Sequence, residues 1–150
     1  MYHFRRDEVA MYRILAVNPG STSTKIAVYE NGDEILKENI PVDQDIISEY
    51  KCVLDQLEHR FDLIKRTLID NGVKPDSFDA VVGRGGILAP MPSGTYLVTE
   101  EMTDYLKDAP RGEHASNLGA FIAEKFAHMS GCEAYIVDPI SVDELTDVAR

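Results

Sequence analysis

The sequence predicts an α/β fold whose mixed sheet opens with a three-strand meander. Three observations lead there. Residues 14–17 and 26–29 are short apolar, β-favouring runs on either side of a polar turn. Asn31-Gly32 follows at once, the strongest short-range hairpin signal, and leads into a third strand. Apolar residues then recur at steps of three and four from Ile47 to Leu68, before a further apolar run at 78–82. A helix joining two strands makes them parallel.

The chain of 150 residues is long enough for one domain with a real core. Its hydrophobic share of 44% and charged share of 27% are those of a globular protein. A net charge of −11 argues against non-specific nucleic-acid binding, which needs a basic excess. Phosphate ligands remain open, since they need only local positive potential. The apolar runs are far too short to span a bilayer, and no charged-then-apolar leader stands at the start. The expectation is a cytoplasmic protein with no membrane partner. Cys52 and Cys132 form no Cys-x-x-Cys pair and are expected as buried free thiols.

Residues 1–10 show no period, and Met11 stands directly before the first strand. Residues 1–12 are therefore read as a loosely ordered N-terminal extension starting ahead of a natural Met11. A short edge strand is the alternative, and 13–150 is read as one domain. The first turn, 18–24, gathers Asn18, Gly20, Ser21, Thr22, Ser23 and Thr24, with Lys25 just beyond. Hydroxyls, an amide, backbone N–H groups near a glycine and an ammonium suit a phosphate or a hydrated magnesium ion. A Walker-type loop fits poorly: no second glycine precedes the lysine, and a strand follows it. An ordinary polar hairpin turn is the other reading.

The third strand, 34–42, has Ile35, Ile40 and Val42 as its apolar members. One continuous helix is expected next. Ile47, Tyr50, Leu54, Leu57, Phe61, Ile64 and Leu68 lie on its buried face, with Glu49, Lys51, Asp55, Glu58, Arg60, Lys65 and Arg66 elsewhere. Asn71-Gly72 and Pro75 stop it. About three heptads is too few for a coiled coil, so the helix is read as packed on its own sheet.

The strand at 78–82 ends in Gly83-Arg84-Gly85-Gly86. Arg84 is the only charge in 80–96 and stands at a strand's carboxyl end, where open α/β sheets bind ligands. The alternative is an arginine that snorkels to solvent. A proline-stiffened loop, a short strand at 95–98 and a helix over 99–106 capped by Thr99 follow. Ser116 is expected to cap a helix to Met129, with Leu118, Phe121, Ile122, Phe126 and Met129 inward and Gly131 as its stop. His114 then lies just ahead of a helix N-terminus, where anions are attracted. His59 and His128 are read as surface residues. A last strand at 134–137 delivers Asp138-Pro139 to the ligand side, or else Asp138 only initiates a turn. Residues 143–148 read as the first turns of a helix.

Four segments, Asn18-Pro19-Gly20-Ser21-Thr22-Ser23-Thr24-Lys25, Gly83-Arg84-Gly85-Gly86, Glu113-His114-Ala115-Ser116-Asn117 and Val137-Asp138-Pro139, stand in an order and spacing that resembles the acetate and butyrate kinase family. That family lies within the actin-like, sugar-kinase-like ATPase superfamily. The likeness runs over nearly all of 11–150. Acetate kinases usually read His-Asn-Pro and Asp-Thr where this chain has His114-Ala115-Ser116 and Asp138-Pro139. The butyrate or branched-chain fatty acid branch is therefore the better match.

The resemblance implies two ribonuclease-H-like domains with ATP and substrate in the cleft between them, and homo-oligomers of the whole protein. It implies reversible transfer of the γ-phosphoryl of ATP to a short-chain carboxylate such as butyrate or a branched analogue, giving ADP and an acyl phosphate, with Mg2+ required. By resemblance, Asn18, Gly20, Ser21, Thr22, Ser23 and Lys25 line the phosphate and magnesium end. Arg84 holds the carboxylate or the phosphoryl, His114 donates to its oxygens, and Asp138 orients the magnesium shell or the carboxylate, with Asn18 reaching the metal through water or phosphate. Family members are considerably longer, so the resemblance also implies an amino-terminal domain alone, inactive by itself. A non-catalytic phosphate- or partner-binding relic is the competing expectation.

Overall fold

The computed structural model describes residues 11–141. The expectations for residues 1–10 and for a helix at 143–148 lie outside the described residues.

Among the described residues, six strands form one sheet in the order β3-β2-β1-β4-β6-β5. Strands β1 (Arg13–Pro19), β2 (Ser23–Glu30) and β3 (Asp33–Pro41) are the expected antiparallel meander. The first two run further into the turn than their apolar cores suggest. Asn18 pairs with Lys25 and Pro19 with Thr24, so only Gly20, Ser21 and Thr22 remain outside the strands. Asn31 (φ 49°) and Gly32 (φ 92°) take the left-handed conformations that a tight hairpin needs. A register shift between Val28 and Tyr29 then re-aims the start of β3. Ile35 is exposed as a result, against expectation, and Leu36 packs on the core instead.

The continuous helix expected from 47 to 68 is broken. A short α1 (Gln44–Ser48) is capped by the Asp43 carboxylate, a single 3₁₀ turn spans Val53–Gln56, and only then does α2 (Leu57–Asp70) begin. Phe61, Ile64 and Leu68 are buried as the periodicity requires. Arg60, assigned to the polar positions, is buried too. Within α2 it stands beside Phe61 and four residues before Ile64, so it shares their buried face.

Strand β4 (Ala80–Arg84) lies parallel beside β1, and β6 (Glu133–Val137) lies parallel beside β4. Strand β5 (Thr95–Leu97) closes that side antiparallel to β6. Arg13 fastens the lower end. Its backbone N–H donates to Asp79 Oδ2 at 2.7 Å, and its guanidinium donates to Ser77 Oγ at 2.9 Å and to the Glu30 carboxylate. Helix α3 (Glu100–Asp108) has Thr99 as N-cap, as expected, its hydroxyl accepting from Met102 N at 3.3 Å.

Helix α4 (Leu118–Ser130) ends at Gly131 in the left-handed conformation. Leu118, Phe121, Ile122 and Phe126 face inward, but Met129 is exposed because it falls in the last turn, past the sheet. Ser116 is not its cap. A 3₁₀ turn, Ala115–Asn117, precedes α4, and the His114 ring caps that turn. Both α2 and α4 pack on one face of the sheet around Leu15, Val17, Ile26, Val28 and Val81. Cys52 and Cys132 are free thiols, half-buried rather than buried.

Candidate functional site

Strand alternation sends every second side chain of β1, β2 and β4 to the face opposite the helices. There Ala16, Ala27, Val82 and Val137 form the floor of an open groove of about 660 Å³. Its polar lining is Asn18, Lys25, Lys37, Glu38, Asn39 and Arg84. Three cations against one carboxylate make a local positive field in a chain whose net charge is −11.

The register explains why three residues distant in sequence meet. Asn18 and Lys25 are direct partners across β1 and β2, and Val17 pairs with Gly83 on β4, so the next position along brings Arg84 level with Asn18. Arg84 in turn pairs with Val137. Lys25, Asn18, Arg84 and Val137 thus make one row across four neighbouring strands, at the carboxyl ends of β1, β4 and β6. Among the described residues, neither Lys25 nor Arg84 forms an ion pair.

Asp138 joins this row through its backbone carbonyl, while its side chain is not part of the groove lining. Arg84 Nε donates to the Asp138 carbonyl at 2.9 Å, and its terminal nitrogens make no hydrogen bond among the described residues. Asp138 takes φ 42°, a left-handed conformation uncommon outside glycine. Its Oδ1 accepts from Gly94 N at 2.9 Å, and Asp138 N donates to the Gly94 carbonyl at 3.0 Å. The acidic side chain is thereby held to the loop before β5 and turned away from simple turn initiation.

The serine-rich bend is more self-contained than its composition suggests. Gly20 N donates to the Ser23 carbonyl at 2.8 Å, so the glycine N–H expected to face a phosphate is already engaged. Val42 N donates to the Thr22 carbonyl at 3.0 Å, and Gln44 Nε2 to the Ser21 carbonyl at 3.3 Å, which ties the tip to the end of β3. Ser21 and Thr22 are exposed, and among the described residues their backbone N–H groups make no hydrogen bond. These two amides and the hydroxyls of Ser21, Thr22 and Ser23 remain as outward donors.

His114 does not line the groove. It stands at the same end of the sheet, on the loop ahead of α4. That loop is held to the glycine cluster after β4, where Ile87 N donates to Asn117 Oδ1 at 2.8 Å. A Cβ at Gly86 would lie 2.6 Å from that same Asn117 oxygen, so only glycine fits. Ser116 N donates to His114 Nδ1 at 3.1 Å. Nδ1 is then an acceptor, which in the Nε2–H tautomer leaves Nε2 as the ring's donor.

No cluster of three or more His, Cys, Asp or Glu side chains forms among the described residues. One carboxylate, Asp138, with the Asn18 amide two strands away, fits a magnesium ion held through water and phosphate oxygens rather than by an all-protein cage. Two structural participants are not marked by the sequence: Asn117, whose only signal is its place after the histidine, and Gly94, which holds the acidic side chain by its N–H.

No protein-family model matches the chain. Similarity to curated proteins is nevertheless strong. Butyrate kinase 2 of Clostridium acetobutylicum is 50% identical over 139 residues, covering 93% of this chain and 39% of that protein. The probable butyrate kinase 2 of Caldanaerobacter subterraneus subsp. tengcongensis is 44% identical over 140 residues, covering 93% of this chain and 40% of that protein. The chain thus spans about two-fifths of the length of these relatives. Among solved structures, the acetate kinase from Entamoeba histolytica superposes with a TM-score of 0.54 at 15% identity, covering 91% of this chain and 37% of that one. At that identity the likeness bears on fold alone: the mixed six-stranded sheet with helices packed on it is shared with that structure.

Proposed function

Because the chain is a family-level match to the acetate and butyrate kinases, we propose that it forms the carboxylate- and phosphoryl-handling part of a butyrate kinase-like enzyme. What supports this most directly is the row of Lys25, Asn18 and Arg84 across three neighbouring strands, with Asp138 bonded to the arginine. The whole protein transfers the γ-phosphoryl of ATP to a short-chain carboxylate, butyrate or a branched analogue.

The chemistry asks for positioning and charge neutralisation more than for covalent help. A carboxylate oxygen donates its lone pair to phosphorus while the bond to the ADP oxygen breaks. The nucleophile is already an anion at neutral pH, so no general base is needed and Asp138 is not given that role. Two anions must approach, and their repulsion is the barrier's protein-dependent part. Arg84 offers two terminal nitrogens to a carboxylate or phosphoryl oxygen. His114 offers Nε2–H to charge developing on the transferring group. Lys25 and the Ser21–Ser23 donors receive phosphate oxygens. A bound Mg2+ would neutralise phosphate charge, with Asp138 and Asn18 holding its water shell.

A chimera tests the reading directly. Residues 11–141 replace their counterparts in the Clostridium acetobutylicum butyrate kinase 2, which is 50% identical over the 139 aligned residues. Hydroxylamine trapping of butyryl phosphate from ATP, Mg2+ and butyrate is the expected result. A folded chimera with no product, which still binds phosphate, would favour the non-catalytic reading. The 150-residue chain alone is expected to give no turnover.

A further inference from the structure

Arg60 is 1% exposed and is the only charged side chain in the buried set among the described residues. Its Nε and Nη2 donate to Gln56 Oε1 at 3.1 and 3.0 Å, and its Nη1 donates to Thr24 Oγ1 at 3.0 Å. Both partners are neutral, and no carboxylate lies within ion-pair distance among the described residues. A dehydrated guanidinium without a counter-ion is expensive to bury, and its three hydrogen bonds to neutral partners offset that cost only in part. Fold stability alone is therefore a poor reason for it.

Its position suggests another. Thr24, 2% exposed, pairs with Pro19 and closes the Gly20–Ser23 tip. Its neighbours Ser23 and Lys25 point the opposite way, to the outer face. A bond from Arg60 to the Thr24 hydroxyl fixes the strand from behind at the one residue between them. The charge also sits behind a tip whose Ser21 and Thr22 amides make no hydrogen bond among the described residues, and low-dielectric surroundings carry its field further than water would.

We propose that Arg60 is a positioning residue for an anion site at the Gly20–Lys25 tip, with Thr24 as its relay and a phosphate or phosphoryl group as the ligand. This rests on the kinase reading for its biological meaning, but not for its test. Arg60 does not touch the ligand. It supplies the counter-charge from inside and holds Ser23 and Lys25 in register.

The experiment uses the 150-residue chain and inorganic phosphate, followed by amide chemical shifts of Gly20 to Lys25, alongside thermal unfolding. Arg60→Met is expected to weaken phosphate binding about tenfold, with a fall in Tm from the buried Gln56 and Thr24 oxygens left without their donor. Arg60→Lys keeps the charge but not the fork, and recovers part of the affinity. Thr24→Val keeps the arginine and removes the relay. It shifts the Ser23 and Lys25 amides and weakens phosphate several-fold, and it decides the matter should Arg60→Met fail to fold. Unchanged phosphate affinity in folded Arg60→Met, or in Thr24→Val where the first does not fold, overturns the proposal. So does a wild-type chain that shows no phosphate shifts at the tip. Turnover plays no part here: Arg60-dependent phosphate binding with an inactive chimera sinks the kinase reading alone, and an active chimera with Arg60-independent phosphate binding sinks this one alone.

Discussion

Gly83 and Gly119 meet backbone to backbone. A Cβ on Gly83 would lie 2.2 Å from the Gly119 carbonyl oxygen, and a Cβ on Gly119 would lie 2.1 Å from the carbonyl oxygen of Arg84. Strand β4 and helix α4 thus touch without any intervening side chain, and the contact falls beside the arginine of the candidate site. Gly119→Ala is expected to destabilise the chain by about 3 kcal/mol, the upper end of overpacking costs, because backbone must move on both sides. Urea unfolding of the 150-residue chain measures it. A loss under about 1 kcal/mol, within the range of tolerated volume changes, would mean that the two elements separate freely.

Arg84→Ala in the active chimera should lower kcat about 100-fold or more, the usual loss when one donor to a developing charge is removed. Arg84→Lys should restore little, because a point charge cannot keep the Asp138 bond and present two terminal nitrogens at once. Steady-state kinetics in butyrate and ATP read this. Wild-type kcat in the alanine variant would remove Arg84 from the chemistry.

His114 carries two separable duties. Its Nδ1 caps the Ala115–Asn117 turn, and among the described residues its Nε2 has no hydrogen-bond partner. His114→Ala should cost about 1 kcal/mol of stability through the lost cap, together with most of the chimera's turnover. His114→Asn should keep the cap, since its amide oxygen can accept from Ser116 N, and still lose turnover. Equal stability in wild type and alanine variant would show that the cap contributes nothing.

Burial is the larger reason that the Cys132 thiol is pushed above its ordinary pKa, with the Asp79 charge adding to it. Iodoacetamide at pH 8 should alkylate Cys132 more slowly than it alkylates glutathione. The sign of the stability effect follows: the unfolded thiol loses its proton first, so stability is intact below the ordinary thiol range and falls as pH rises through it. Cys132→Ala should flatten that part of the pH–stability curve. Alkylation of the folded chain as fast as that of glutathione would contradict a raised value.

Legibility varied with how far a feature depends on partners distant along the chain. The meander was readable because alternation and Asn31-Gly32 are local signals. Thr99 and Gly131 were readable for the same reason. The break before α2 was not, because Ile47, Leu54 and Phe61 keep helical spacing across a segment that the structure kinks. Arg60 misled for a related reason: charge on a helix usually means solvent, and only its bonds to Gln56 and Thr24 make burial tolerable. At the site, residue types pointed to Asn18, Lys25 and Arg84, whereas the register that aligns them lies in strand pairing. The engaged N–H of Gly20 and the support from Gly94 and Asn117 depend on tertiary contacts that no short motif encodes.

Among the described residues, β3, at nine residues, is the longest strand and forms one rim of the sheet. Asp33, Glu34, Lys37 and Glu38 crowd that rim, and Pro41 withholds an N–H at its end. A second copy zipping on there would have to strip water from those charges and meet like with like. The barrel-less, open-ended sheet therefore carries its own deterrent against fibre growth on the meander side, independent of anything that happens at the groove.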